Sequence, residues 1–147
     1  MLQRDYVLEI IGQFVEGVRR SLLRALGGDR EGFVQTEQQI GELLDLDYRT
    51  ALSLAPDSLV TMMVLSGIGD SVAEYVCYAL ERLARLYERA GNEDAAGLRR
   101  LQAKAVGESF GCDPAAVPDD FAELDSEVFS DGSGRTGTPE GGGQSVQ

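Results

Sequence analysis

Five side chains in this 147-residue sequence have types and spacing suited to molecular recognition. Tyr75, Tyr78, Arg82, Arg85 and Arg89 recur at steps of three and four. On a helix such residues share one face, and Tyr and Arg are enriched where protein interfaces concentrate their binding energy. The strip reads as a partner-binding surface. The plain alternative is a solvated face in which Glu81 and Arg85 support the helix as an i, i+4 pair. A third reading follows from charge: residues 113–147 hold eight acids and one base, a net of −7. That acidic end would then lie on the chain's own Arg strip.

Catalytic combinations are sparse. The sequence has no His and no Trp, which removes the commonest general base and the commonest transition-metal ligand. Its carboxylates form no i, i+3 or i, i+4 pair within an apolar stretch, the arrangement that builds di-metal sites in helical bundles. Cys77 falls on the side of Ala73, Leu80, Ala84 and Tyr87 and reads as a core thiol. Cys112, after Gly111, is expected to be exposed, with no basic neighbour to lower its pKa. Reduced thiols suit a chain without a secretory signal. Asp131-Gly132 begins like a calcium loop but fails at the third and twelfth positions. The tail glycines lack the Lys-Ser/Thr and helix of a phosphate loop. A net charge of −12 argues against nucleic acid, whose phosphates call for a basic surplus. No cofactor and no metal are expected.

The elements that position these residues are helical. Val7, Ile10, Ile11, Phe14, Val18, Leu22 and Leu26 recur at three- and four-residue steps, so residues 3–26 read as an amphipathic helix ended by Gly27-Gly28. A second helix over 30–44 forms an antiparallel hairpin with it. A short helical turn over 48–52 follows, and Pro56 stands at the first position of a new helix. That helix, within "SLVTMMVLSGIG", is apolar on nearly all sides and reads as buried, with Met62 and Met63 as core fillers. Asp70–Ala90 carries the strongest helical pattern, Gly91-Asn92 ends it, and Glu93–Phe110 forms the last long helix, with Leu98, Leu101, Ala105 and Val106 facing inward. Asp119–Phe129 reads as a weak helical segment. The Gly-rich end beyond it reads as disordered. The opening residues make a poor signal peptide, since Asp5 and Glu9 break its pattern. No run reaches the ~18 apolar residues of a spanning helix, so a cytoplasmic location is expected.

Met1-Leu2-Gln3-Arg4-Asp5-Tyr6 resembles the start of an uncharacterised family of short helical bacterial proteins. The likeness continues at Leu43-Leu44-Asp45-Leu46-Asp47, at Ser53-Leu54, at Leu86-Tyr87-Glu88 and at Gly91-Asn92. It covers residues 1–110, with Glu9 and Ala55-Pro56 as departures. It implies a helical fold and assigns no activity; Arg4, Asp5 and Tyr6 themselves read as a structural first-turn network, with Tyr6 packing and its hydroxyl reaching a polar partner. The final helix pair is similar to a degenerate tetratricopeptide unit, carried by Leu80, Leu83, Ala84, Tyr87, Gly91 and Ala96.

The resulting expectation is an all-α body over residues 1–111, built as two helical hairpins joined by a short buried helix, with an acidic, mostly disordered tail over 112–147. Its expected function is non-enzymatic binding of a protein. Two alternatives stand beside it: a small-ligand or enzymatic pocket lined by Tyr48, Tyr75, Tyr78 and Arg82, and a structural homodimer.

Overall fold

The structure, a computed structural model, describes residues 4–129; the side chains of Arg4 and Asp5 are not among the parts described. The chain is all-α, and no strand occurs among the described residues. Its helices are α1 (Arg4–Leu26), α2 (Arg30–Leu44), α3 (Tyr48–Ser53), α4 (Pro56–Leu65), α5 (Asp70–Arg89), α6 (Glu93–Phe110) and α7 (Ala122–Val128), with a 3-10 turn at Asp119–Phe121 before α7.

Two antiparallel hairpins form the body. Between α1 and α2, the Asp29 side chain accepts a hydrogen bond from the Glu31 amide at 2.9 Å and caps α2. Arg24 holds the same carboxylate at 2.6 Å, and that bond keeps its pKa below the ordinary aspartate value. Gly32 lets the two helices touch, because a Cβ there would strike the backbone of Ser21 and Ala25. One turn on, the Ser21 and Thr36 hydroxyls bond at 2.6 Å in the buried seam. Between α5 and α6, Gly91 takes a left-handed turn (φ 84°) and Asn92 caps α6 through the Ala95 amide.

The hairpins share one core. Val18, Leu22, Ile40, Val76, Leu80, Leu83 and Val106 are all fully enclosed. Phe14 meets Tyr75 edge-on at 6.4 Å, and Phe33 stacks on Tyr87 at 4.5 Å. A buried polar cluster adds direction to this packing. The Arg99 guanidinium donates to Glu37 of α2 at 3.0 Å and to the Leu52 carbonyl of α3 at 2.8 Å. Gln102 donates to the Leu52 and Leu54 carbonyls. Satisfied in this way, two buried polar residues of α6 fix where α2 and α3 sit.

Leu101 of α6, expected to face inward, is 55 % exposed, and two larger expectations are corrected. The first concerns α4, which is not buried all round. It encloses Leu59 and Met63 but leaves Met62, Val64 and Leu65 exposed, Leu65 by 77 %. Its packing partner is α6 on one side, and a helix of this length covered on one side leaves the rest of its apolar surface in solvent.

The second concerns residues 112–129, expected to lie outside the helical body. Gly111 ends α6 in the left-handed region (φ 75°), and the Cys112 amide returns to the Gly107 carbonyl at 3.0 Å. Gly107 has no side chain to block the Cys112 carbonyl and Pro114, which lie against it. The chain therefore folds back onto the body, where Phe121, Leu124, Val128 and Phe129 are buried. Fully burying side chains of this size contributes about 1.5–3 kcal/mol each. The disorder expected of the acidic end concerns residues 130–147, which lie outside the described residues.

Candidate functional site

The Tyr/Arg strip of α5 is divided by this folded-back segment, residues 113–129. Tyr78 and Arg82, expected at a binding surface, are each only 1 % exposed. Asp125 accepts from Arg82 Nε at 2.6 Å and from the Tyr78 hydroxyl at 2.9 Å. The Tyr75 hydroxyl donates to Asp120 at 2.6 Å, and Arg19 of α1 donates to the Asp120 carbonyl. Phe121 lies flat on the Tyr78 ring at 4.5 Å, while the Arg82 guanidinium sits over the other contact surfaces, 4.6 Å from the Tyr78 centroid and 5.5 Å from that of Phe129. Burial and then the Asp125 carboxylate push the Tyr78 pKa well above that of free tyrosine; burial and Asp120 do the same to Tyr75.

Tyr75, Tyr78 and Arg82 are therefore receptors for the chain's own acidic segment, not a free surface. The reason is complementarity that helical periodicity does not show: aromatic and basic groups on α5 meet aromatic and acidic groups more than forty positions along the chain. Arg85 keeps a long 3.6 Å pair with Glu81, and Arg89 remains exposed with its guanidinium 5.6 Å from the Phe129 ring centroid.

The pocket set Tyr48, Tyr75, Tyr78 and Arg82 does not converge. Tyr48 borders a shallow recess of about 410 Å³ with Arg49, Leu52 and Leu98, near the Glu37–Arg99 pair. The other three lie under the folded-back segment. Cys77 is buried with its thiol 3.4 Å from the Ala103 carbonyl, and burial pushes its pKa up to about 12. Cys112, expected exposed, is half-buried against the core, and burial raises its pKa too. Thiols held protonated in this way are poor nucleophiles. Among the described residues, no three His, Cys, Asp or Glu side chains gather as metal ligands, and no helix is long and apolar enough to cross a membrane.

An open surface of a different kind adjoins the covered strip, since its Phe14 packs against Tyr75. A groove of about 810 Å³ runs between the first half of α1, the last turns of α2 and the loop from α4 into α5. Its apolar floor includes Val7, Ile10, Phe14, Leu43, Ile68 and Val72, and its polar edge includes Gln13, Gln39, Glu42 and Asp45. Tyr6, the one member of the Arg4-Asp5-Tyr6 stretch with a described side chain, stands at its mouth and is half exposed.

The groove exists because both flanking helices end there. Asp45 adopts a left-handed conformation (φ 58°) as it ends α2, and its amide bonds back to Glu42. Gly67 turns the chain (φ 74°) before Gly69 starts α5 without a side-chain cap. No single stretch of sequence announces the site, since three separated segments build it.

No family model, curated protein or solved structure matches the chain. Function is therefore argued from the geometry of these sites.

Proposed function

We propose that the protein is a non-enzymatic helical interaction module that docks a helical segment of another protein in the groove between α1, α2 and α5. The groove's apolar floor supports this reading: Val7, Ile10, Phe14, Leu43, Ile68 and Val72 line one continuous trough. A volume of about 810 Å³ suits several anchor side chains, and a helix supplies these in register at i, i+3, i+4 and i+7. The floor offers apolar contact and few groups able to move a proton. Glu42 and Asp45 at the edge are exposed carboxylates, which suits recognition better than acid–base chemistry, where burial usually tunes the pKa.

The test is a panel of amphipathic helical peptides that share one Leu/Phe face, titrated into the isotope-labelled full chain. Binding is expected to shift the amide signals of Ile10, Leu43, Ile68 and Val72, and Ile10→Glu is expected to abolish it. A panel that does not bind, or that binds regardless of Ile10→Glu, removes the docking reading.

A further inference from the structure

We infer that the occupant of this groove is a basic amphipathic helix, with Lys or Arg beside its apolar anchors. The inference rests on the docking reading above and adds the chemistry of the partner. The residues that line the groove include two acids, Glu42 and Asp45, and no Lys or Arg. Glu9, Glu42, Asp45, Asp70 and Glu74 are exposed, and none has an ion-pair partner among the described residues. Most basic residues stand elsewhere in the sequence: Arg19, Arg20, Arg24 and Arg30 around the first turn, Arg49 in α3 and Arg82 to Lys104 along the second hairpin, while Arg4 opens α1 two residues before Tyr6. A trough whose lining holds two exposed carboxylates, Glu42 and Asp45, and no Lys or Arg is complementary to an apolar face flanked by positive charge.

The folded-back segment shows how this protein covers a charged aromatic surface. On α5 the receptor is basic, and its cover brings Phe121, Leu124 and Val128 as anchors, with Asp120 and Asp125 on the polar groups. The groove repeats that design with the charges exchanged. The sequence after Phe129 offers no such cover. Residues 130–147 hold Asp131, Glu140 and a single base, Arg135, with Val146 as their one large aliphatic side chain. A second copy would bring a net charge of −12 against another −12.

Three labelled helical peptides with the same Leu/Phe face, carrying Lys/Arg, Gln or Glu on the flanks, separate the possibilities by fluorescence anisotropy on the full chain. The basic peptide is expected to bind at least about tenfold tighter than the Gln peptide at low salt, an advantage that fades near 1 M salt as screening shortens to about 3 Å. Glu42→Gln combined with Asp45→Asn is expected to weaken the basic peptide severalfold more than the Gln peptide. Asn suits the left-handed position of residue 45, so that pair of changes keeps the fold. Ile10→Glu adds negative charge, so loss of the basic peptide in that variant distinguishes docking in the groove from general attraction to an acidic protein. Equal affinity for the basic and Gln peptides, or indifference to the Glu42 and Asp45 changes, overturns the inference while docking itself stands. A mass that doubles with concentration and returns to monomer in Ile10→Glu also overturns it, in favour of a second copy. Failure of all three peptides overturns the docking reading and this inference together.

Discussion

The Tyr/Arg strip and the acidic groove lie at different stations along α5, and both also border α1, yet one is closed and the other open. At the strip, Arg82 and Tyr78 are enclosed by a segment of the same chain that brings Asp125 and Phe121. At the groove, Ile10, Leu43 and Val72 face a trough, and the carboxylates beside them have no ion-pair partner among the described residues. The difference shows where binding groups have been committed to the fold. Contacts at the strip hold the molecule together; under the docking proposal, those at the groove remain to be made.

This contrast is broken first by stability measurements. Phe121→Ala is expected to cost about 3–5 kcal/mol in denaturant unfolding, as large-to-small changes at enclosed aromatic positions do. A loss below about 1 kcal/mol would mean that the segment is only loosely held. Asp125→Ala leaves Arg82 charged, enclosed and without its closest partner, and is expected to cost about 3 kcal/mol. Because Asp125 itself keeps some exposure, Asp125→Asn, which retains a carbonyl acceptor, is expected to cost less.

Alkaline pH sharpens the comparison from the same side. Tyr75, Tyr78 and Tyr87 are all held protonated by burial and a neighbouring carboxylate, above the free value of 10.0. The folded chain keeps protons that the unfolded chain releases, so this contribution is complete below about pH 10 and declines as pH rises further. Tyr78→Phe is expected to reduce that decline by up to about 1.4 kcal/mol per pH unit. An alkaline slope unchanged in Tyr78→Phe would show that its hydroxyl is not held as described. At the groove the expected effect is smallest: Glu42→Gln shifts stability by no more than about 0.5 kcal/mol, as exposed substitutions do.

Much of the helical frame is readable from spacing and punctuation. The three- and four-residue steps from Val7 to Leu26, the Gly27-Gly28 and Gly91-Asn92 turns and Pro56 at a helix start all correspond to elements of the structure. Solvent exposure was harder to read. A stripe such as Tyr75-Tyr78-Arg82 defines a helix face without saying what lies on it, and its cover stands more than forty residues away. A signal was present in Asp120-Phe121 and Leu124-Asp125, where acids alternate with anchors in the manner of a ligand for Tyr and Arg. The α4 helix differs for the opposite reason: continuous apolarity implies enclosure, yet of its residues Leu59 and Met63 are the buried ones. The groove had no local signature, because it arises where the ends of separate helices fail to meet.

The bare backbone at Gly32 has a mechanical consequence for that groove. Near the turn, Gly32 lets α2 meet the α1 backbone directly, while Leu43 borders the groove eleven residues along α2. At 1.5 Å per residue this makes a lever of roughly 16 Å. A ten-degree change in crossing angle at the pivot would swing the wall by about 3 Å, half the width of an aliphatic side chain or more. The gauge of the groove is thus set at the far end of the hairpin, by a hydrogen atom where any other residue would place a carbon.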